Sequence, residues 1–148
     1  MARLQPTDVA GWLLKSTRPP AGIDPGWAPG EERETTRCVR RSYRLELVSP
    51  GQPVLLWVSG RVLPGVHAVG TVTGPVRDGG EDDGPVLPVR LTHLPAPVER
   101  GELLADPDFA SAEVLRMPAG SNPSWVTAAQ LAAVLAKAGA HRLGPWTP

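Results

Sequence analysis

A single cysteine, Cys38, stands in this chain of 148 residues, so no internal disulfide forms and no thiolate zinc cluster is available. The three histidines, His67, His93 and His141, are far apart and none has a second ligand at metal-site spacing, which argues against a structural metal. No apolar run approaches the ~20 residues that span a bilayer. The opening MARLQPTDVAGWLLKS lacks a basic segment followed by an uninterrupted apolar stretch and a small-residue cleavage site, so the cytoplasm is the expected location. Net charge is zero, which removes the electrostatic case for a general coater of DNA. Phosphate-binding loops, dinucleotide-binding glycine fingerprints, serine elbows and paired histidines on a helix are all missing, so no standard enzyme signature is present. Lysine is scarce, two of fifteen basic residues, and the bias to Arg, Ala, Pro, Gly and Val points to a GC-rich, bacterial genome.

What remains is a globular composition, 41% hydrophobic, long enough for one domain over residues 1–148 with a real core. Trp12, Leu13 and Leu14 read as a strand entering that core. Lys15, Ser16 and Thr17 close it, and Arg18, Pro19 and Pro20 are expected to forbid a helix beyond. Residues 17–36, rich in Pro and Gly and then acidic, read as a long surface loop. Ser42 suits the N-cap of a helical turn that SPGQ ends. PVLLWVSG (53–60) and GVHAVGTVTGPV (65–76) look like central strands, with Gly70 and Gly74 marking bulges or curvature. RDGGEDDG (77–84) reads as a polar connection, and PVLPVRLTHL returns as a strand in which Pro88 favours an edge or a bulge. ERGELLAD predicts a short helix, and AEVLRMP is read as a strand. The clearest helix is VTAAQLAAVLAKAG, with a Thr127/Gln130 capping box, a stripe of Leu131, Val134 and Leu135, and Gly139 as its stop. The tail AHRLGPWTP has no periodicity, and Trp146 is a candidate to dock it. The sum is an α+β domain: five to seven strands, mainly antiparallel, curled into a small barrel closed by short helices.

Two features bear on function. Arg37, Arg40, Arg41 and Arg44 follow one another with no acid between, whereas residues 77–108 hold eight acids against three arginines. One face is therefore expected to be basic, unless the arginines merely solvate a surface. Trp12, Trp27, Trp57, Trp125 and Trp146 outnumber the single Tyr43 and Phe109. A flat indole serves either as core or as a wall against a planar ligand. In GSNPSWVT (120–127), Asn122 before Pro123 is a turn signal; Asn122 and Ser124 also place hydrogen-bonding groups beside Trp125, as base reading requires. Cys38, flanked by arginines, is the one candidate nucleophile, but no base is placed beside it.

WLLKST, RCVRRSYRLELVSPGQPVLLWVSG, GVHAVGTVTGPV and GSNPSWVTAAQLAAVL together resemble an EVE domain of the PUA-like superfamily, related to YTH and ASCH domains, over roughly residues 10–136. The resemblance implies a β-barrel pseudo-closed by helices, with a pocket on one side. It implies a non-catalytic module that binds nucleic acid and reads a methylated or hydroxymethylated cytosine in DNA, flipped into an aromatic pocket, with RNA as another polymer. Carried over to this sequence, Lys15, Ser16 and Thr17 would frame the base edge, with Ser42, Tyr43 and Arg44 flanking the mouth. Trp57 and Ser59 would come from the central strand, and Asn122, Pro123 and Ser124 from the last loop. Trp12, Trp27 and Trp125 complete the expected walls, and Arg37, Arg40 and Arg41 would hold phosphates. Thr36 and Arg37 stand where many relatives have a tryptophan, so either Trp27 folds in from the long loop or the cage is incomplete. No cofactor or metal is implied, a monomer is expected, and an effector protein would act on the bound nucleic acid. The alternatives are a binder of a small planar ligand such as a free nucleobase or nucleoside, an enzyme using Cys38 or a histidine, and a protein-interaction module.

Overall fold

The computed structural model describes residues 3–79, 84–120 and 122–139. Within them the strands are β1 (Gly11–Ser16), β2 (Glu32–Cys38), β3 (Pro53–Val58), β4 (Gly65–Val72), β5 (Arg77–Asp78), β6 (Pro85–Glu99) and β7 (Ser124–Val126). The helices are α1 (Pro20–Ile23), α2 (Arg100–Leu104), α3 (Glu113–Arg116) and α4 (Ala128–Ala138). All strands join one sheet in the order β2-β6-β4-β3-β1-β7, with β5 against β6. The β1–β3 pair is parallel and every other pair is antiparallel.

β3 is buried along its whole length because both faces of the sheet are covered, which is why PVLLWV carries no polar alternation. On one face Leu13, Leu55, Trp57, Val66 and Val69 pack under Leu103 of α2, Phe109, Val114 of α3, and Leu131 and Val134 of α4. On the other, Trp12, Leu14, Val54 and Leu56 pack with Trp27, Val39, Leu87 and Leu91. Each such side chain contributes about 1.5–3 kcal/mol by leaving water. The helix at the C-terminal end is built as its sequence dictates. Thr127 Oγ1 accepts from the Gln130 N–H, Gln130 Oε1 accepts from the Thr127 N–H, and Gly139 closes the helix in the left-handed region.

Several elements differ from expectation. Pro19 and Pro20 do not forbid a helix; they start one, Pro19 as N-cap and Pro20 as first residue, where a missing N–H costs nothing. The last five residues of the expected loop, 32–36, belong to β2, whose residues ERETTRC carry almost no apolar signal. Arg33, Thr35 and Arg37 turn half inward, and the strand is held by its ladder to β6. AEVLRMP forms the single helical turn α3 rather than a strand, because Glu113 is drawn into an ion pair and no strand edge is paired with it. β6 runs through Pro88 into the sheet interior. On the β4 side the ladder has already ended at Val89, so the absent N–H of Pro88 faces no partner strand there. The tail carrying Trp146 lies outside the described residues.

Candidate nucleic-acid interface

Because β1 and β3 are parallel, their C-terminal ends emerge on the same side, and the Ser16 carbonyl accepts from the Ser59 N–H at 2.9 Å. Ser16 Oγ accepts from the Arg18 N–H at 3.0 Å and donates to the Arg18 carbonyl at 2.8 Å, turning the chain sharply. Asn122 then ties this end to the end of β2. Its Oδ1 accepts from the Lys15 N–H (3.2 Å) and its Nδ2 donates to the Cys38 carbonyl (3.1 Å). The Asn122 carbonyl accepts from the Arg40 N–H (2.6 Å). Lys15 Nζ donates to the Pro118 and Gly120 carbonyls, both at 3.2 Å, and so pins the loop before Asn122.

Behind this bracket, Arg44 grips Glu113 with both prongs of its guanidinium, Nη1 to Oε1 at 2.8 Å and Nη2 to Oε2 at 2.7 Å. Nη1 also donates to the Pro123 carbonyl at 3.1 Å, and Ser124 Oγ donates to Glu113 Oε1 at 2.8 Å. Burial pushes the Glu113 carboxyl up, but hydrogen bonds from Arg44 and Ser124 and the charges of Arg44 and Lys15 outweigh it and hold the carboxyl below its ordinary value. Burial lowers the Lys15 ammonium; Glu113 opposes this and Arg44 and Arg40 add to it. The Arg37 guanidinium is likewise held down by burial first and by the neighbouring Arg18 charge next. Its Nε is the buried side-chain polar atom without a partner among the described residues. Arg18, Arg37 and Arg40 thus surround the joined strand ends, while Glu113, the acid beside them, is neutralised by Arg44.

The structure brings together Lys15, Ser16, Thr17, Ser59, Arg37, Arg40, Asn122 and, behind them, Arg44 and Ser124 of the expected set. It does not bring the aromatic rings there. Trp12 is wholly buried with its Nε1 donating to Gln52 Oε1 at 2.8 Å, and Trp27, which does fold in from its loop, is equally buried, donating to the Glu31 carbonyl. Trp57 stacks on Phe109 in the opposite core at 6.4 Å between ring centres, and half-buried Trp125 packs beside the Trp12 cluster. These indoles build the two cores, since a continuous sheet needs large apolar side chains on both faces. Ser42 is spent on capping the turn at Tyr43–Leu47, and Tyr43 holds the Leu4 N–H and lies under the Arg3 guanidinium. Arg41 points to Asp78 at 3.6 Å, both largely exposed. Cys38 is exposed. Two residues that sequence reading passed over matter here. By sequence Arg18 figures only as a helix breaker, and Glu113 lies in a segment with a strand-like pattern.

The architecture is a parallel β1–β3 pair inside an otherwise antiparallel sheet, with α2, α3 and α4 packed over one face. No family model matches the chain and no curated protein matches its sequence. Solved structures share the fold: a hypothetical protein from Leishmania major (TM-score 0.69, 16% identity, covering 93% of this chain and 99% of that one) and a protein from Rhodopseudomonas palustris (0.68, 18%, 89% and 94%). So does human THYN1, thymocyte nuclear protein 1, solved in complex with DNA containing 5-methylcytosine (0.54, 14%, 86% and 96%). Among the described residues no helix is long and apolar enough to cross a membrane.

Proposed function

We propose that this chain is a non-catalytic nucleic-acid-binding module that seats a strand on the joined ends of β1 and β2 and takes up one base there, a modified cytosine in DNA being the favoured target. The observation that carries this reading is the concentration of Arg18, Arg37 and Arg40 around Lys15, Ser16 and Asn122, with the neighbouring acid already paired and Arg37 Nε lacking a partner. Cations held at rigid strand ends suit phosphates, which supply affinity without reading sequence. THYN1, of the same fold, binds 5-methylcytosine-containing DNA, which supports the choice of ligand.

With the tryptophans in the core, discrimination of a methyl group rests on aliphatic contact and is expected to be modest, about tenfold. The module acts as a monomer, and an effector protein uses the bound strand. The test is a titration of labelled single- and double-stranded oligonucleotides, with and without one 5-methylcytosine, at 50 and 200 mM salt. Three phosphate contacts predict a loss of affinity of about 20-fold for a single strand between those salts. Absence of binding at the lower salt contradicts the reading.

A further inference from the structure

The turn between β3 and β4 builds a second feature beside the strand ends. His67 is the bulged residue of β4: Val66 and Ala68 pair on both sides, with β3 and with β6, and His67 pairs in neither ladder. A bulge re-aims a side chain, and this one turns the imidazole inward, leaving it 8% exposed. Its Nε2 lies 2.6 Å from the carbonyl of Leu63, the one non-glycine residue in the left-handed region (φ 45°) among those described. A carbonyl oxygen only accepts, so Nε2 carries the hydrogen, and the tautomer that places it there presents Nδ1 as its acceptor. Among the described residues nothing donates to it. The imidazole lines a mainly apolar hollow of about 500 Å³, with Pro19, Val58 and Leu63 as its apolar walls and Thr17 and Ser59 at the strand ends.

We propose that this hollow receives one heterocyclic base of a bound strand, its ring between Pro19, Val58 and Leu63 and one of its edge N–H groups donating to His67 Nδ1. The inference rests on the nucleic-acid reading above and names the receptacle that the tryptophans do not form. The volume suits a base with its sugar. Bases carry N–H donors and carbonyl or ring-nitrogen acceptors on their edges around apolar ring faces, matching an imidazole acceptor, aliphatic walls and the Arg61 guanidinium that also lines the hollow. Thr17 and Ser59 make the hollow continuous with the strand end, where Arg18 follows for the adjoining phosphate.

The test uses the full chain and a short single strand bearing either 5-methylcytosine or an abasic residue at its centre. Wild type should bind the base-bearing strand at least about tenfold tighter. His67→Leu and, at an exposed position that leaves the core alone, Ser59→Leu should both bind the two strands equally, at the abasic affinity and with unchanged salt dependence. The His67 Nδ1 nitrogen resonance should move on adding the base-bearing strand and not the abasic one. Retention of the preference in either folded variant, or its absence in wild type, overturns the proposal while leaving strand binding in place. Failure of every strand to bind at low salt removes the underlying reading instead. The free nucleoside should move the same resonance only at much higher concentration, and saturation equal to the strand's overturns the assignment to a polymer.

Discussion

Arg44 and Glu113, 69 residues apart in the chain, meet in a two-pronged ion pair whose side chains are only 14% and 11% exposed. The pair joins the turn after β2 to α3 and, through the Ser124 hydroxyl and the Pro123 carbonyl, fixes the loop that carries Asn122. Arg44 therefore holds the site's frame, and its guanidinium is not free for a ligand.

Removing one partner strands a largely buried charge. Glu113→Ala should destabilise the fold by about 3 kcal/mol, the low end for buried pairs because a little water still reaches both groups. Replacing both partners, Arg44→Met with Glu113→Leu, should cost less than Glu113→Ala alone. Urea unfolding of the three variants checks this; a double variant weaker than the single one contradicts it.

The same carboxylate predicts an acid dependence. Its folded pKa lies below the ordinary carboxylate value, so the unfolded chain takes up the proton first as pH falls. The stabilisation is complete above the ordinary value and is lost as pH drops from about 5 through the depressed folded value. Urea midpoints measured from pH 7 to pH 3 should fall less steeply for Glu113→Gln than for wild type over that window.

Gly70 lies where β6 crosses closest to β4, and a Cβ there would overlap the Arg90 carbonyl. Gly70→Ala should destabilise by about 3 kcal/mol, since two backbones must separate to admit one methyl group. Thermal unfolding measures it, and an unchanged midpoint contradicts the close approach.

Arg40 is exposed and spends only its backbone on the frame, through the Asn122 carbonyl. Arg40→Ala should lower the slope of log affinity against log salt for a single strand by about 0.7 with the fold intact. Arg90, paired with Glu34 at 2.7 Å on the β2–β6 surface, is the matched control, and Arg90→Ala should leave the slope unchanged.

Where local chemistry decides, the elements were legible in sequence. The apolar run of β3, the capping box and glycine stop of α4, the Ser42 cap and the short helix α2 need no distant information. β2 was not legible, because its residues are polar and its conformation comes from pairing with β6. α3 was misread because its fate turns on Arg44, 69 residues away. For the site, the convergence of Lys15, Ser16 and Asn122 was foreseen, but their partners are backbone carbonyls and N–H groups that no side-chain pattern announces. The tryptophans misled because a ring suited to stack on a base is equally suited to fill a core. Nothing in GVHAVG marks His67 for a pocket, because the bulge that aims it leaves no trace in the sequence.

Residue-resolved NMR of the isotope-labelled protein, titrated with a short single-stranded oligonucleotide at low salt, locates the bound strand. The largest shifts should fall on residues 15–18, 37–40 and 122 and on the hollow at 58–63 and 67, with those of α4 and of the β2–β6 outer surface at Glu34 and Arg90 unmoved. Shifts centred on those surfaces, with the strand ends silent, would place the ligand elsewhere and contradict the proposed interface.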